Sequence, residues 1–275
     1  MKSIKFICTL LLVCSTVCLQ AQNSEKEQLT VALSSPGKPY KLKVNLISGS
    51  IRVTGHNADN IVIDVDVPEE KGGRKDKRAG ESGMKRIGGS TGYEVKAIEK
   101  NNEVTVHTNL IDREVNLELK VPANGSLILK TINGGDIEVK NVKGELELNN
   151  INGEIKLSGI AGSAVATTVN GDIVARFESV TPDKPMAFST FNGTVDISLP
   201  AVSKANLKLK SDQGDIFSDF DVAIEKGSGG TSKTNSGGLY RIAKDAWVTG
   251  KINGGGAELM VKSNMGDIYI RKAKQ

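Results

Sequence analysis

A turn-and-strand phrase returns along this 275-residue chain, and it restricts the fold more than any other feature of the sequence. It reads Asn133-Gly134-Gly135-Asp136-Ile137, then Asn152-Gly153-Glu154-Ile155, Asn170-Gly171-Asp172-Ile173, Asn192-Gly193-Thr194-Val195, Gln213-Gly214-Asp215-Ile216 and Met265-Gly266-Asp267-Ile268. From Gly135 to Gly214 the phrases lie 18, 18, 22 and 21 residues apart, glycine to glycine. A period in this range is the mark of a solenoid. Weaker copies at Gly144 and Gly162 fall midway, so two half-turns of about nine residues make one coil, each with about five strand residues and a corner. One coil cannot cover its own inward valines, leucines and isoleucines. Stacking coils about 4.8 Å apart covers them and pairs the backbone between coils.

The rest of the chain keeps the same period of two. Tyr40 to Leu46, Ile61 to Val67, Glu103 to His107 and Val115 to Val121 alternate apolar and polar residues, the pattern of strands with one face buried. No long stretch has helical spacing, and the short ambiguous pieces Val222 to Lys226 and Tyr240 to Ala246 do not alter this. The expected fold is all-β, a β-solenoid with coils of about 18–22 residues, occupying 22–275 as one domain. Two insertions interrupt it, 68–92 and 227–238, both too polar and glycine-rich for a core and read as surface loops. Lesser bulges at Thr181 to Pro185 and Pro200 to Ser203 account for the stretch from 18 to 22 and 21. Such insertions map to corners, often on the functional face. Leu29 to Leu33 and Tyr269 to Arg271 are the expected terminal strands.

The first 21 residues read as a secretory signal peptide: Lys2 and Lys5, an apolar run from Phe6 to Leu19, then a small residue, Ala21, before Gln22. Cys8, Cys14 and Cys18 all fall inside it. The mature chain therefore has no thiol for a disulfide, a nucleophile or a zinc ligand. A lipoprotein acylated at Cys18 is the competing reading, though Val17 replaces the small residue usual before such a cysteine. Loss of the two lysines takes the formal charge from +4 to +2, so nothing draws the chain as a whole toward nucleic acid. Trp247, four tyrosines and six phenylalanines offer few stacking platforms.

The phrase itself allows three chemistries. In the structural one, Asn and Gly take positive-φ corner positions, Asp holds the turn by a local backbone bond and Ile begins an inward row. Asn133, Asn152, Asn170 and Asn192 should then stack as an amide ladder. Calcium β-rolls repeat G-G-x-G-x-D, whereas these phrases usually offer one acid, none in Asn192-Gly193-Thr194-Val195, and lack that spacing. A column of carboxylates, Asp136, Glu154, Asp172 and Asp215, could supply the pair needed for glycoside cleavage, but they sit in turns among lysines such as Lys140 and Lys156. His56 and His107 stand apart from any second ligand or triad partner in sequence. The basic cluster Arg74, Lys75, Lys77, Arg78, Lys85 and Arg86 is the sharpest local charge feature and the candidate contact to an anionic macromolecule. Trp247 reads as a core or end-cap residue. No metal and no cofactor are expected.

Ile47 to Ile63, the later Asn-Gly-Asp-Ile phrases and the ending Met265 to Lys272 together resemble the bacterial "putative adhesin" family, an exported β-helix domain of unknown function. The resemblance covers nearly all of the mature chain and implies a single-stranded, right-handed β-helix in an exported cell-envelope protein; it supplies no binding residues. The expected function is a non-catalytic exported scaffold of the periplasm, outer membrane or cell surface that contacts a polysaccharide or an envelope protein, with no nucleic acid partner. The alternatives are a carbohydrate-active β-helix enzyme and a periplasmic structural protein without a dedicated ligand.

Overall fold

The structure, a computed structural model, describes residues 27–68, 93–110, 113–225 and 247–273, with the backbone alone of 231–236 and 239–244. The signal peptide expected over 1–21 and most of the 68–92 insertion lie outside the described residues. Every regular element described is a strand. The chain opens with β1 (Glu27–Ala32), β2 (Tyr40–Asn45), β3 (Ile51–His56) and β4 (Asn60–Asp66). A hairpin of β5 (Val95–Lys100) and β6 (Glu103–Thr108) follows, then β7 (Asn116–Pro122), β8 (Gly125–Lys130), β9 (Ile137–Lys140) and β10 (Lys143–Asn149). β11 (Ile155–Thr167) is long, and after it come β12 (Ile173–Val180), β13 (Met186–Asn192), β14 (Val195–Leu199), β15 (Ala205–Ser211), β16 (Ile216–Ser218) and β17 (Ala223–Ile224). A separate hairpin, β18 (Thr231–Ser236) and β19 (Leu239–Lys244), precedes β20 (Val248–Ile252), β21 (Glu258–Met265) and β22 (Ile268–Lys272).

Alternation makes these strands and aims them. In β2, Tyr40, Leu42 and Val44 are buried while Lys41, Lys43 and Asn45 are not, and most strands repeat that pattern. Two largely parallel stacks face each other across the core. The front stack runs β7, β3, β9, the start of β11, β12, β14, β22 and β16. The back stack runs β6, β2, β8, β10, the end of β11, β13, β21 and β15. β11 crosses from one stack to the other. Side chains therefore line up in rows, such as Ile51, Ile137, Ile155, Ile173, Val195 and Ile268 along the front, each fully buried. One coil carries the small residues Ala164, Ala166 and Ala175, and the space near it is taken by Phe177 and Phe188, edge to face at 6.3 Å.

The coils do not stack in sequence order at either end. β2 and β3 lie between β6–β7 and β8–β9, so the first coil is an interior one. Likewise β21 and β22 lie between β13–β14 and β15–β16. Tyr269 to Arg271 is thus not the terminal strand expected from its place in the chain; it is sandwiched, with Asp196 and Phe217 as the register partners of Tyr269. β1 does lie at an edge, paired only with β4. Antiparallel strands close three of the four stack ends, β4 and β1 beyond β7, β5 beyond β6, and β20 and β17 beyond β15, while β16 at the fourth pairs only with β22 among the described residues. An antiparallel cap changes the hydrogen-bond spacing offered to another parallel coil, and the edge strand β5 carries Lys96, Glu99 and Lys100.

The 227–238 insertion is also more ordered in backbone than a loop: residues 231–236 form β18, paired in register with β19. Tyr240 to Lys244 lies in β19, and Val222 to Lys226 contains the two-residue β17.

Candidate functional site

The phrase corner, where the chain passes from back stack to front, is built from four columns. The first is glycine. A Cβ on Gly171 would stand 2.1 Å from the Gly153 carbonyl oxygen, one on Gly153 2.2 Å from that of Gly135, and one on Gly193 2.2 Å from that of Gly171. Neighbouring coils touch backbone to backbone here, which excludes any side chain. The second column is an inward donor two residues before each Asn or its equivalent, buried at every position but Ser211, which is half-buried. Thr131 Oγ1 donates to Gly49 O at 2.8 Å, Asn150 Nδ2 to Gly135 O at 2.8 Å, and Thr168 Oγ1 to Gly153 O at 3.0 Å. Thr190, Ser263 and Ser211 donate to Gly171, Gly193 and Gly266, each at 2.9 Å. These donors satisfy corner carbonyls that would otherwise be buried unpaired. Their order follows the interleaved stack, because Ser263 bonds Gly193 and Ser211 bonds Gly266.

The third column is the amide ladder, shorter than expected. Asn192 Nδ2 donates to Asn170 Oδ1 at 2.7 Å and Asn170 Nδ2 to Asn152 Oδ1 at 2.8 Å, but Asn152 Nδ2 turns to the Ile132 carbonyl at 3.4 Å, bypassing Asn133. The asparagines do not hold positive φ; within the phrases only glycines do, Gly171 at 155° among them. The acids also differ from expectation. Asp136 Oδ1 accepts from Glu154 N at 2.8 Å, Asp172 Oδ1 from Thr194 N at 2.7 Å, and Asp267 Oδ1 from Asp215 N at 2.9 Å. Each of these bonds ties one coil to the next and does not close a local turn.

The fourth column is apolar and open to solvent. Ile47, Ile132, Ile151, Val169 and Phe191, 36–51 % exposed, follow one another on five adjacent coils. Their carbonyls fix the succession: Ile47 O accepts from Asn133 N, Ile132 O from Asn152 N, Ile151 O from Asn170 N and Val169 O from Asn192 N. At about 4.8 Å per coil the row is about 19 Å long. A shallow groove of about 330 Å³ runs beside it between Asn45, Lys130 and Asn149. The two further coils carry polar Asn264 and Asp212, next to the register partners Ser263 and Ser211, so the row stops at Phe191.

The Toastrack DUF4097 family model matches residues 16–271. The chain belongs to the Toastrack DUF4097 family. That agrees with the family resemblance carried by its phrases and its C-terminal strand. No curated protein matches the chain. Among solved structures it is similar to a "putative cell adhesion protein" from Clostridium sporogenes ATCC 15579, at 11 % identity and TM-score 0.42 over 90 % of this chain and 100 % of that one. It is also similar to a "putative adhesin" from Bacteroides fragilis NCTC 9343, at 11 % identity and TM-score 0.37 over 91 % and 98 %. A "putative lipid binding protein" from Parabacteroides distasonis ATCC 8503 follows at 10 % identity and TM-score 0.28 over 92 % and 98 %.

In this Toastrack chain the residues singled out by sequence are dispersed. The cluster Arg74, Lys75, Lys77, Arg78, Lys85 and Arg86 lies outside the described residues. Of the carboxylate column, Asp136 and Asp172 hold backbone N–H groups, and Glu154 Oε2 takes Lys156 Nζ at 2.5 Å, which holds that ammonium above the usual lysine range. His56 Nε2 lies 2.9 Å from Asn60 O across its own turn, and His107 points outward on β6. Trp247 is half-buried just before the capping strand β20, with Lys208 and Lys210 Nζ 5.0 and 5.9 Å from its ring centroid. Among the described residues no group of three His, Cys, Asp or Glu is arranged to hold a metal ion, and no helix is long and apolar enough to cross a membrane. Sequence reading missed the apolar row and the buried donors. Their signal was present: the residue before each Asn from Asn133 to Asn192 is Ile, Ile, Val or Phe, and the one before that is Thr or Asn.

Proposed function

We propose that this Toastrack chain is a non-catalytic, exported envelope scaffold that binds a macromolecule, a polysaccharide or another envelope protein, along the phrase corner. The observation that supports this reading is the exposed row Ile47, Ile132, Ile151, Val169 and Phe191. Large apolar side chains scattered singly over a surface need no explanation, but five in one line, with polar residues at its end, are the kind of patch that interaction sites use. Stability does not require them, because in the same coils Thr131, Asn150, Thr168 and Thr190 already face inward. The coils wind right-handed in this reading, the sense favoured for parallel crossovers. The basic residues Arg74 to Arg86 act as a second contact toward anionic groups. A carbohydrate-cleaving alternative loses support because two acids of the phrase column are committed to backbone amides and a third to a lysine.

The test is binding of the mature protein to immobilised polysaccharides and to envelope fractions, with Ile151→Ser/Phe191→Ser as the variant. Saturable binding should weaken at least about tenfold, with thermal stability nearly unchanged because both residues are exposed. Turnover of a polysaccharide, lost on replacing a single carboxylate, would overturn the proposal.

A further inference from the structure

The corner opposite the phrases holds a second feature, created by the lengthened coils. In the 18-residue coils this corner is plugged: Val142 and Ile160 are fully buried there. In the longer coils Thr181 to Pro185 and Pro200 to Lys204 swing outward, and the 253–257 turn of the interleaved last coil comes up between them. The three turns enclose a cleft of about 440 Å³, in the size range of small-molecule sites. Its walls are mostly apolar, with Val180, Pro182, Met186, Pro200, Val202 and Leu259 among them.

The cleft is held open by a specific set of bonds. Asn253 Nδ2 donates to Ala201 O at 3.0 Å and to Ser203 O at 2.7 Å, and Ser203 N donates to Pro200 O at 2.9 Å. Asn206 Nδ2 donates to Gly256 O at 2.5 Å. Gly256 approaches so closely that a Cβ there would lie 2.6 Å from the Lys204 carbonyl oxygen. One polar group is left over. Ser203 lines the cleft, is 6 % exposed, and its Oγ is the one buried side-chain oxygen or nitrogen among the described residues with no hydrogen-bond partner. A buried hydroxyl without a partner is costly in a finished fold, and rotation about its side chain can turn it toward a ligand.

Charge narrows the occupant. The lining carries Glu178, Asp183 and Glu258 against Lys184 and Lys204, and Lys184 Nζ is already 2.8 Å from Glu145 Oε1. That balance gives an anion no advantage, and an apolar wall disfavours any bare charge. We infer that the cleft is a binding site for a small, uncharged, mainly apolar molecule with a single hydrogen-bonding group, which Ser203 Oγ engages. The site is separate from the apolar row, on the opposite corner of the coil.

The experiment uses N-phenyl-1-naphthylamine, a neutral fluorescent probe with one N–H, and its N-methylated analogue, which lacks that donor. The mature protein should enhance the fluorescence of the first with single-site saturation. Ala257→Trp, at a half-exposed lining position, should abolish binding; Val202→Asp, at a residue 83 % exposed, should do the same if the first variant folds poorly. Ser203→Ala should weaken the N–H probe by about tenfold and leave the N-methyl probe unchanged. Ile151→Ser/Phe191→Ser should not alter probe binding, which separates this site from the proposed macromolecular surface. The inference is overturned if the probe does not bind, if it binds equally after Val202→Asp, or if Ser203→Ala affects both probes alike.

Discussion

At the scale of single residues, the corner glycines and the glycines of open turns look alike in sequence but occupy different surroundings. Gly171 has φ 155° and no room for a Cβ, whereas Gly134, at φ 66°, has nothing within 4 Å of where a Cβ would stand. Gly171→Ala must push two backbones apart and should cost about 3 kcal/mol. Gly134→Ala should cost only the left-handed strain, about 1 kcal/mol. Denaturation midpoints of the two variants check the difference. A second residue-level device lies at the N-terminal end. The Glu99 carboxylate accepts from Ser34 Oγ at 2.7 Å, from Ser34 N at 3.1 Å and from Asn102 N at 2.9 Å. The Ser34 hydroxyl first, then the Ser34 and Asn102 amides, hold its carboxyl below the usual range. A depressed folded pKa stabilises above the unfolded value, and the contribution disappears as pH falls through the folded one. The protection factors of the Ser34 and Asn102 amides, with the intrinsic slowing of exchange in acid divided out, should therefore fall on acidification, and Glu99→Gln should flatten that pH dependence.

At the scale of elements, the interleaving of the last coil is directly testable, because the chain has no cysteine after Cys18. Asp196 on β14 and Tyr269 on β22 are register partners, and Arg271 Nε reaches Asp196 Oδ1 and Oδ2 at 3.0 and 2.9 Å. In-register neighbours on adjacent strands lie within disulfide range. Asp196→Cys with Tyr269→Cys should oxidise to an intramolecular disulfide, seen as a mobility shift reversed by reductant. Asp196→Cys with Phe217→Cys should not, since β22 separates those strands; a bridge there would mean that β16 stacks directly on β14. The strands themselves were legible in the sequence because alternation and the repeat both report which residues face inward. Stacking order was not, since Ile268 has the same phrase and the same burial whether its coil is last or second to last. The spacing did announce the opposite corner: the 22- and 21-residue intervals mark where the turns open. What period and composition could not give was which polar atom those turns leave unpaired, because that depends on Asn253 arriving from the next coil but one in sequence.

At the scale of the whole molecule, contacts between coils far apart in sequence set the order of assembly. Residues 205–218 have no place on the stack until 258–272 arrive to separate them from 186–199, and β2 lacks one neighbour until the β5–β6 hairpin is in place. Such pairings make closure entropy large and folding slow compared with a stack built coil upon coil. The interleaving also limits how a molecule of this kind can change in length. A repeat protein ordinarily grows or shrinks by copying or losing units at its tips. Here both tips are locked by a unit from elsewhere in the chain, and a duplication there would have to be threaded between coils already paired. Only the stretch from β8 to β14 runs in simple succession, so coils can be added or removed without rethreading only in the middle of this chain, while the two ends, and the cleft that the last coil completes, have a fixed size.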